Sequence, residues 1–127
     1  MATATKVSSM TFPFPMGILQ PTSDAACIPL TTNILPVQEV GVTEVVTGWN
    51  QIEIRALSDN TGQIFICNSA AAPDTANYLN VIDILQPGEA WPRGHDWANT
   101  VDIRYLFIGV ETGNAAHDAV IANISQF

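Results

Sequence analysis

The pattern of apolar and polar residues along 51–68 predicts two β-strands around a polar turn. Every second residue from Ile52 to Ala56 is apolar, which places these side chains on one face of a strand. Residues 58–62 (SDNTG) all favour turn conformations. Residues 64–67 (IFIC) are apolar on both faces of a strand. We therefore expect a β-hairpin whose second strand is covered on both sides.

Similar apolar and β-branched runs recur along the chain, with turn residues between them. They predict strands at 40–47, 78–85, 101–110 and 120–127, and a short edge strand beginning at 90–92. Pro87 and Gly88 fit the central positions of a type II turn, and a short helix is an alternative at 115–119. About seven short strands at this spacing predict one antiparallel, all-β domain of the β-sandwich or jelly-roll type.

Residues 1–36 differ from the remainder because they contain five of the eight prolines. Proline lacks an N–H and fixes φ, so neither a central strand nor a helix is expected there. We predict an extended Pro-rich N-terminal arm over 1–36 and the sandwich domain over 37–127. The arm carries the apolar residues that we expect to contact a partner: Phe12, Phe14, Met16, Ile18 and Leu19. The surface that they cover is either the protein's own domain or a neighbouring subunit.

Charge and composition narrow the classes of partner. Charged residues make up 13% of the chain, about half the roughly 25% of an average domain. We expect other protein to cover part of such a surface, although a small monomeric β-domain is the alternative. The net charge is -8 with four Lys and Arg residues, and nucleic-acid binding needs clustered positive charge. No apolar run approaches the roughly 18 residues of a membrane span. We expect no nucleic acid and no membrane as partners.

Candidate chemical groups are few. Cys27 and Cys67 form either one disulfide or two buried free thiols, and the apolar neighbours of Cys67 favour the thiols. Adjacent strand residues face opposite ways, so neither His95-Asp96 nor His117-Asp118 forms a metal site by itself. We expect both pairs in solvent-exposed loops. The sequence contains no Gly-x-Ser-x-Gly nucleophile elbow. We expect no enzymatic activity, no cofactor and no metal.

Aromatic residues suggest one binding hypothesis. Trp91 and Trp97 flank one polar loop, and aromatic rings can stack on the faces of sugars. Packing in the core and contact between subunits are equally natural roles for such residues. These alternatives stay open at the level of sequence.

Three segments carry a resemblance to a known family. Residues 56–66 (ALSDNTGQIFI) place an Asn-Thr-Gly turn between two strands, residues 85–91 (LQPGEAW) follow, and a third apolar strand lies near Tyr105. Together they resemble the small β-sandwich decoration, or cement, proteins of tailed-phage capsids. The resemblance implies a dimer or trimer that is made in the host cytoplasm, binds the major capsid protein on the outside of the virion and stabilises the shell. A carbohydrate- or receptor-binding module of a head fibre or tail component is the alternative.

Overall fold

The fold is described by a computed structural model for residues 14–30, 49–92, 98–102 and 105–126. Within these ranges the protein is all-β, with nine strands in two antiparallel sheets, which confirms the predicted fold class. The strands are β1 (Phe14–Leu19), β2 (Ile28–Pro29), β3 (Trp49–Ala56), β4 (Ile64–Cys67), β5 (Val81–Leu85), β6 (Ala90–Trp91), β7 (Ala98–Asp102), β8 (Phe107–Val110) and β9 (Val120–Gln126). The predicted strand at 40–47 lies outside the described residues.

The first sheet has the strand order β1-β9-β3-β6, and β7 also pairs with β3. The pairing of β3 with β9 is continuous from Asn50 opposite Gln126 to Ala56 opposite Val120. Ile52, Ile54 and Ala56 are fully buried, so the alternation in the sequence predicted the core face of this strand correctly.

The second sheet has the strand order β2-β8-β4-β5. Every residue of β4 is buried. Ile64 and Ile66 belong to the core between the sheets, whereas Phe65 and Cys67 belong to a second apolar cluster. Because successive strand residues face opposite ways, that cluster lies on the outer face of the second sheet. The prediction that this strand is covered on both sides is confirmed.

The predicted hairpin between β3 and β4 is wrong. β3 lies in the first sheet and β4 in the second, so residues 57–63 cross from one sheet to the other. The turn residues do not close a strand ladder, because other parts of the chain bind their backbone groups, as described below.

The predicted strand at 101–110 is also divided. β7 ends at Asp102 in the first sheet, and β8 begins at Phe107 in the second. An apolar run has the same appearance in sequence whether it stays in one sheet or changes sheets. The predicted strand at 78–85 is shorter than expected and begins at Val81.

The described part of the N-terminal region belongs to the sandwich. β1 and β2 are end strands in the orders of the described sheets, a position that tolerates proline. A register shift between Pro15 and Gly17 interrupts the pairing of β1 with β9, and Gly17 has a φ of 88°. Residues 14–19 thus pair with the first sheet and residues 28–29 with the second, while the division into an arm over 1–36 and a domain over 37–127 stays a prediction.

Local turn chemistry agrees with the sequence at one position and differs at another. Gly88 has a φ of 85° and the Glu89 N–H donates to the Gln86 carbonyl at 2.9 Å, which confirms the type II turn. Residues 115–117 form a turn and not the alternative helix. Among the described residues, no helix has the length and apolar character that crossing a membrane requires.

Candidate functional site

A buried carboxylate holds the turn that crosses between the sheets. Asp118 is fully buried. Its Oδ1 accepts the Thr61 N–H at 2.9 Å and its Oδ2 accepts the Gly62 N–H at 2.8 Å. His117 Nδ1 lies 2.6 Å from Asp118 Oδ1, and the His117 side chain is exposed. The expectation of an exposed pair is therefore correct for His117 and wrong for Asp118, which the turn needs as an acceptor.

The charge of Asp118 is stabilised where it lies. Burial acts to raise the pKa of Asp118, but hydrogen bonds from Thr61, His117 and Gly62 outweigh it, so the pKa is lowered. The carboxylate therefore stays ionised and bound to the turn at neutral pH.

Further side chains fix the same end of the sandwich. Asn60 exchanges two hydrogen bonds with the backbone of Ala119, at 2.8 and 3.0 Å. Glu111 Oε1 accepts the Gln63 N–H at 2.9 Å. A Cβ on Gly62 would collide with the ends of the Asn114 and Glu111 side chains, which would have to shift to admit it. We call residues 58–63 together with 111–119 the turn clasp.

The loop at 69–80 lies beside the outer face of the second sheet. Asp74 accepts backbone N–H groups from Ala76, Asn77 and Leu79 at 3.0–3.3 Å, and the bond from Asn77 contributes most to the lowered pKa of Asp74. The Asn80 side chain bonds residues 69, 71, 72 and 74 at 2.9–3.3 Å. These bonds define the shape of the loop without regular secondary structure.

A groove of about 390 Å³ lies between this loop and the turn clasp. Its polar lining residues are Asp24, Gln63, Thr75, Glu111 and Thr112, and the remaining lining residues are Phe65, Ala72, Pro73, Tyr78 and Val110. Tyr78 is 50% exposed and has a φ of 57°, which is uncommon for a bulky residue. A strained aromatic residue in a polar groove is typical of a binding site.

The same loop carries an exposed apolar surface. Leu79 is 81% exposed, and Tyr78 and Ile82 are also exposed. We call Tyr78, Leu79 and Ile82 the loop patch. Large apolar side chains held away from the core can take part in protein contacts.

The residues predicted to contact a partner have different positions in the fold. Phe12 lies outside the described residues, and Phe14 and Met16 belong to β1, although only their backbone is described. Ile18 is 57% exposed, whereas Leu19 is buried in the core. For Leu19, the covered surface is therefore the protein's own domain, and Ile18 remains a candidate for contact.

The predicted tryptophan pair is described only in part. Trp91 is half-buried and packs against the core. Trp97 and the His95-Asp96 pair lie outside the described residues. The described residues contain no cluster of three or more His, Cys, Asp or Glu side chains that could hold a metal ion.

Sequence reasoning missed both the groove and the loop patch. The apolar pattern of residues 78–85 predicts a strand throughout, whereas Tyr78 and Leu79 lie in an exposed turn before β5. Asp74 and Asn80 were available signals, because such residues bond readily to nearby backbone groups. The groove itself depends on long-range contacts that no local pattern contains.

Comparisons with known proteins give no relative for this chain. No protein-family model, no curated protein and no solved structure matches it.

Proposed function

We propose that the protein is a structural virion protein, a decoration or cement subunit that binds the outer surface of a phage capsid and stabilises the shell. The observation that carries the proposal is the loop patch, in which Leu79 is exposed on a loop held by hydrogen bonds. In this proposal the partner is the major capsid protein, and the protein is located on the virion exterior after synthesis in the host cytoplasm. The proposal involves no catalytic step.

The construction of the loop supports a role in binding. Asp74 and Asn80 fix the backbone on both sides of Leu79. Binding through a surface that is already ordered avoids much of the entropy cost of ordering a flexible segment. Tyrosine, which the loop patch contains as Tyr78, is also one of the residue types that contribute most to binding in protein interfaces.

The N-terminal region supplies the second proposed contact. Ile18 is exposed on β1, an end strand in the order of the described first sheet. It follows the apolar residues Phe12, Phe14 and Met16, which we propose contact the capsid together with it. Several weak contacts on one particle reinforce one another through avidity, and a dimer or trimer of the chain would increase this effect.

Charge supports the proposed location. The net charge of -8 disfavours contact with packaged DNA, whose phosphates are also negative. Only 13% of the residues are charged, so much of the surface is neutral. Removing water from a neutral surface costs less free energy than removing it from charged groups. Both features suit a protein that binds the outside of a shell.

Cosedimentation with empty, expanded shells of the major capsid protein encoded in the same genome tests the proposal. We expect wild type to bind, and Leu79→Ser to weaken binding about tenfold or more, because burying a leucine contributes about 1.5–3 kcal/mol. Ile18→Ser should also weaken binding. Ala76→Ser, an exposed change in the same loop, is the matched control. Absence of wild-type binding, or equal binding by all variants, would overturn the proposal.

The groove favours a second candidate function, a carbohydrate-binding module. The half-exposed Tyr78 lines the groove together with Asp24, Glu111, Thr75 and Thr112. An aromatic ring can stack on a sugar ring, and carboxylate and hydroxyl side chains can hydrogen-bond to its hydroxyls. A glycan array followed by titration of the best ligand tests this function. Tyr78→Ala should abolish binding and Tyr78→Phe should retain most of it. An array without any signal excludes the module among the glycans that it displays.

A further inference from the structure

Two cysteines that are far apart in sequence meet on the outer face of the second sheet. Cys27 is 5% exposed and Cys67 is fully buried, and both are free thiols. This outcome confirms the alternative that the sequence favoured. Both side chains belong to one small buried apolar cluster, which also contains Phe65. Neighbouring thiols are the first requirement of a disulfide.

The fold brings the two thiols together through the backbone near each of them. The Cys27 N–H donates to the Ala70 carbonyl at 2.9 Å, and Ala26 bridges Ala71. These contacts hold Cys27 against the chain that follows β4, the strand in which Cys67 is the last residue.

A glycine provides the space for the Cys27 sulfur. A Cβ on Gly109 would lie 2.8 Å from Cys27 Sγ and 2.5 Å from Pro73 Cγ. Only a residue without a side chain allows Cys27 and Pro73 to approach β8 so closely. The position of the Cys27 thiol is therefore built into the sheet and its covering loop.

We propose that Cys27 and Cys67 form a modification site, a latent disulfide that hydrogen peroxide closes and that fastens the segment before β2 to β4. This site goes beyond the proposed functions and does not depend on either of them.

The chemistry assigns a separate role to each thiol. Cys27 is the nucleophile, because its side chain is 5% exposed whereas Cys67 is fully buried, so peroxide reaches Cys27 first. The thiolate is the reactive form, and the interaction with Cys67 lowers the pKa of Cys27 although burial opposes it. Its sulfur attacks one oxygen of hydrogen peroxide, the O–O bond breaks, hydroxide leaves and Cys27 becomes a sulfenic acid. The Cys67 sulfur then attacks the Cys27 sulfur, and the sulfenic oxygen leaves as water with the thiol proton. Two thiols are oxidised to one disulfide, and one peroxide is reduced to two waters.

The disulfide should raise the thermal stability of the protein. It closes a loop of about 40 residues, which restricts the unfolded chain and is expected to raise the Tm by about 10 °C. β2 contains only two residues, so few strand hydrogen bonds hold this segment without the crosslink.

Intact-mass spectrometry of the full chain, before and after treatment with hydrogen peroxide, tests the proposal. We expect wild type to lose the mass of two hydrogens, to remain monomeric by mass, and to have no thiol that iodoacetamide alkylates after denaturation. Dithiothreitol should restore both thiols and the lower Tm. The variant Cys67→Ser should gain oxygen at Cys27 instead, and Cys27→Ser should leave Cys67 unmodified.

Two results would overturn the proposal. The first is obtained at a peroxide concentration that oxidises Cys27 in the Cys67→Ser variant: both thiols of wild type treated at that concentration remain open to alkylation after denaturation. The second is crosslinking between chains or overoxidation without the loss of two hydrogens. The second result needs wild type alone, so the proposal can be overturned even if a serine variant does not fold.

Discussion

The buried carboxylate of Asp118 gives the sharpest test of how the two sheets are connected. In Asp118→Asn one oxygen is retained, but an amide NH₂ now faces the N–H of Thr61 or Gly62, which donate at 2.9 and 2.8 Å in wild type. A buried donor without an acceptor costs about 1–3 kcal/mol. The variant also loses the ionic acceptor of His117. We expect the free energy of unfolding to fall by about 2–3 kcal/mol, a large share of the 5–15 kcal/mol of an ordinary domain.

Urea denaturation at pH 7 measures this loss, and the same change at Asp59 is the matched control. Asp59 is exposed in the same turn, so Asp59→Asn should change the free energy of unfolding by less than about 0.5 kcal/mol. The slope of the unfolding free energy against urea concentration should be the same as in wild type, which would show that both variants unfold from a similar native state.

The pH dependence of the Asp118 effect follows from the direction of its pKa shift. The pKa is lowered in the folded protein, so the stabilisation is complete above the unfolded value of about 3.9 and is lost as pH falls through the folded value. The difference between wild type and Asp118→Asn should therefore shrink below about pH 4. Two results would refute the reasoning. One is an equal loss of unfolding free energy in Asp118→Asn and Asp59→Asn at pH 7, and the other is a difference between wild type and Asp118→Asn that stays undiminished down to about pH 2.

Two further predictions concern the outer face of the second sheet. Gly109→Ala should lower the free energy of unfolding by about 1–3 kcal/mol, because the new methyl group meets Pro73 Cγ and Cys27 Sγ. Thermal melts measure this loss, and Ala72→Ser, a change at an exposed residue, is the control. Asn80→Ala removes the side-chain bonds to residues 69, 71, 72 and 74. Limited proteolysis should therefore cleave the 69–80 loop of this variant faster than that of wild type. An equal cleavage rate would contradict the role assigned to Asn80.

Local patterns in the sequence predicted several strands and their buried faces. Alternation identified the core face of β3, and the apolar run of β4 indicated that both of its faces are covered. The final strand and the short strand β6 were also predicted at nearly their observed positions. These features depend on a period of two residues or on the local chemistry of a turn, which neighbouring residues are sufficient to specify.

Strand partners could not be predicted in the same way. The residues at 58–62 have the composition of a hairpin turn, yet they connect two sheets because Asp118 binds the turn from more than fifty residues away. Prolines argued against central strands, and among the described strands β1 and β2 do lie at the ends of the two sheets, but the prolines did not indicate that β1 pairs with β9. In both cases the deciding contacts are long-range.

The candidate binding surfaces were missed for a related reason. Tyr78 and Leu79 have the composition of a strand, but they lie in a loop in which the Asp74 side chain accepts backbone bonds from 76, 77 and 79. Asp74 is thereby used as a scaffold for the loop, as Asp118 is for the turn clasp. The groove lies between these two regions and is lined by both of them. Side-chain bonds to the backbone therefore help to determine where the sandwich presents Tyr78 and Leu79. A substitution at Asp74 should alter binding through the groove or the loop patch while leaving the packing of the core unchanged.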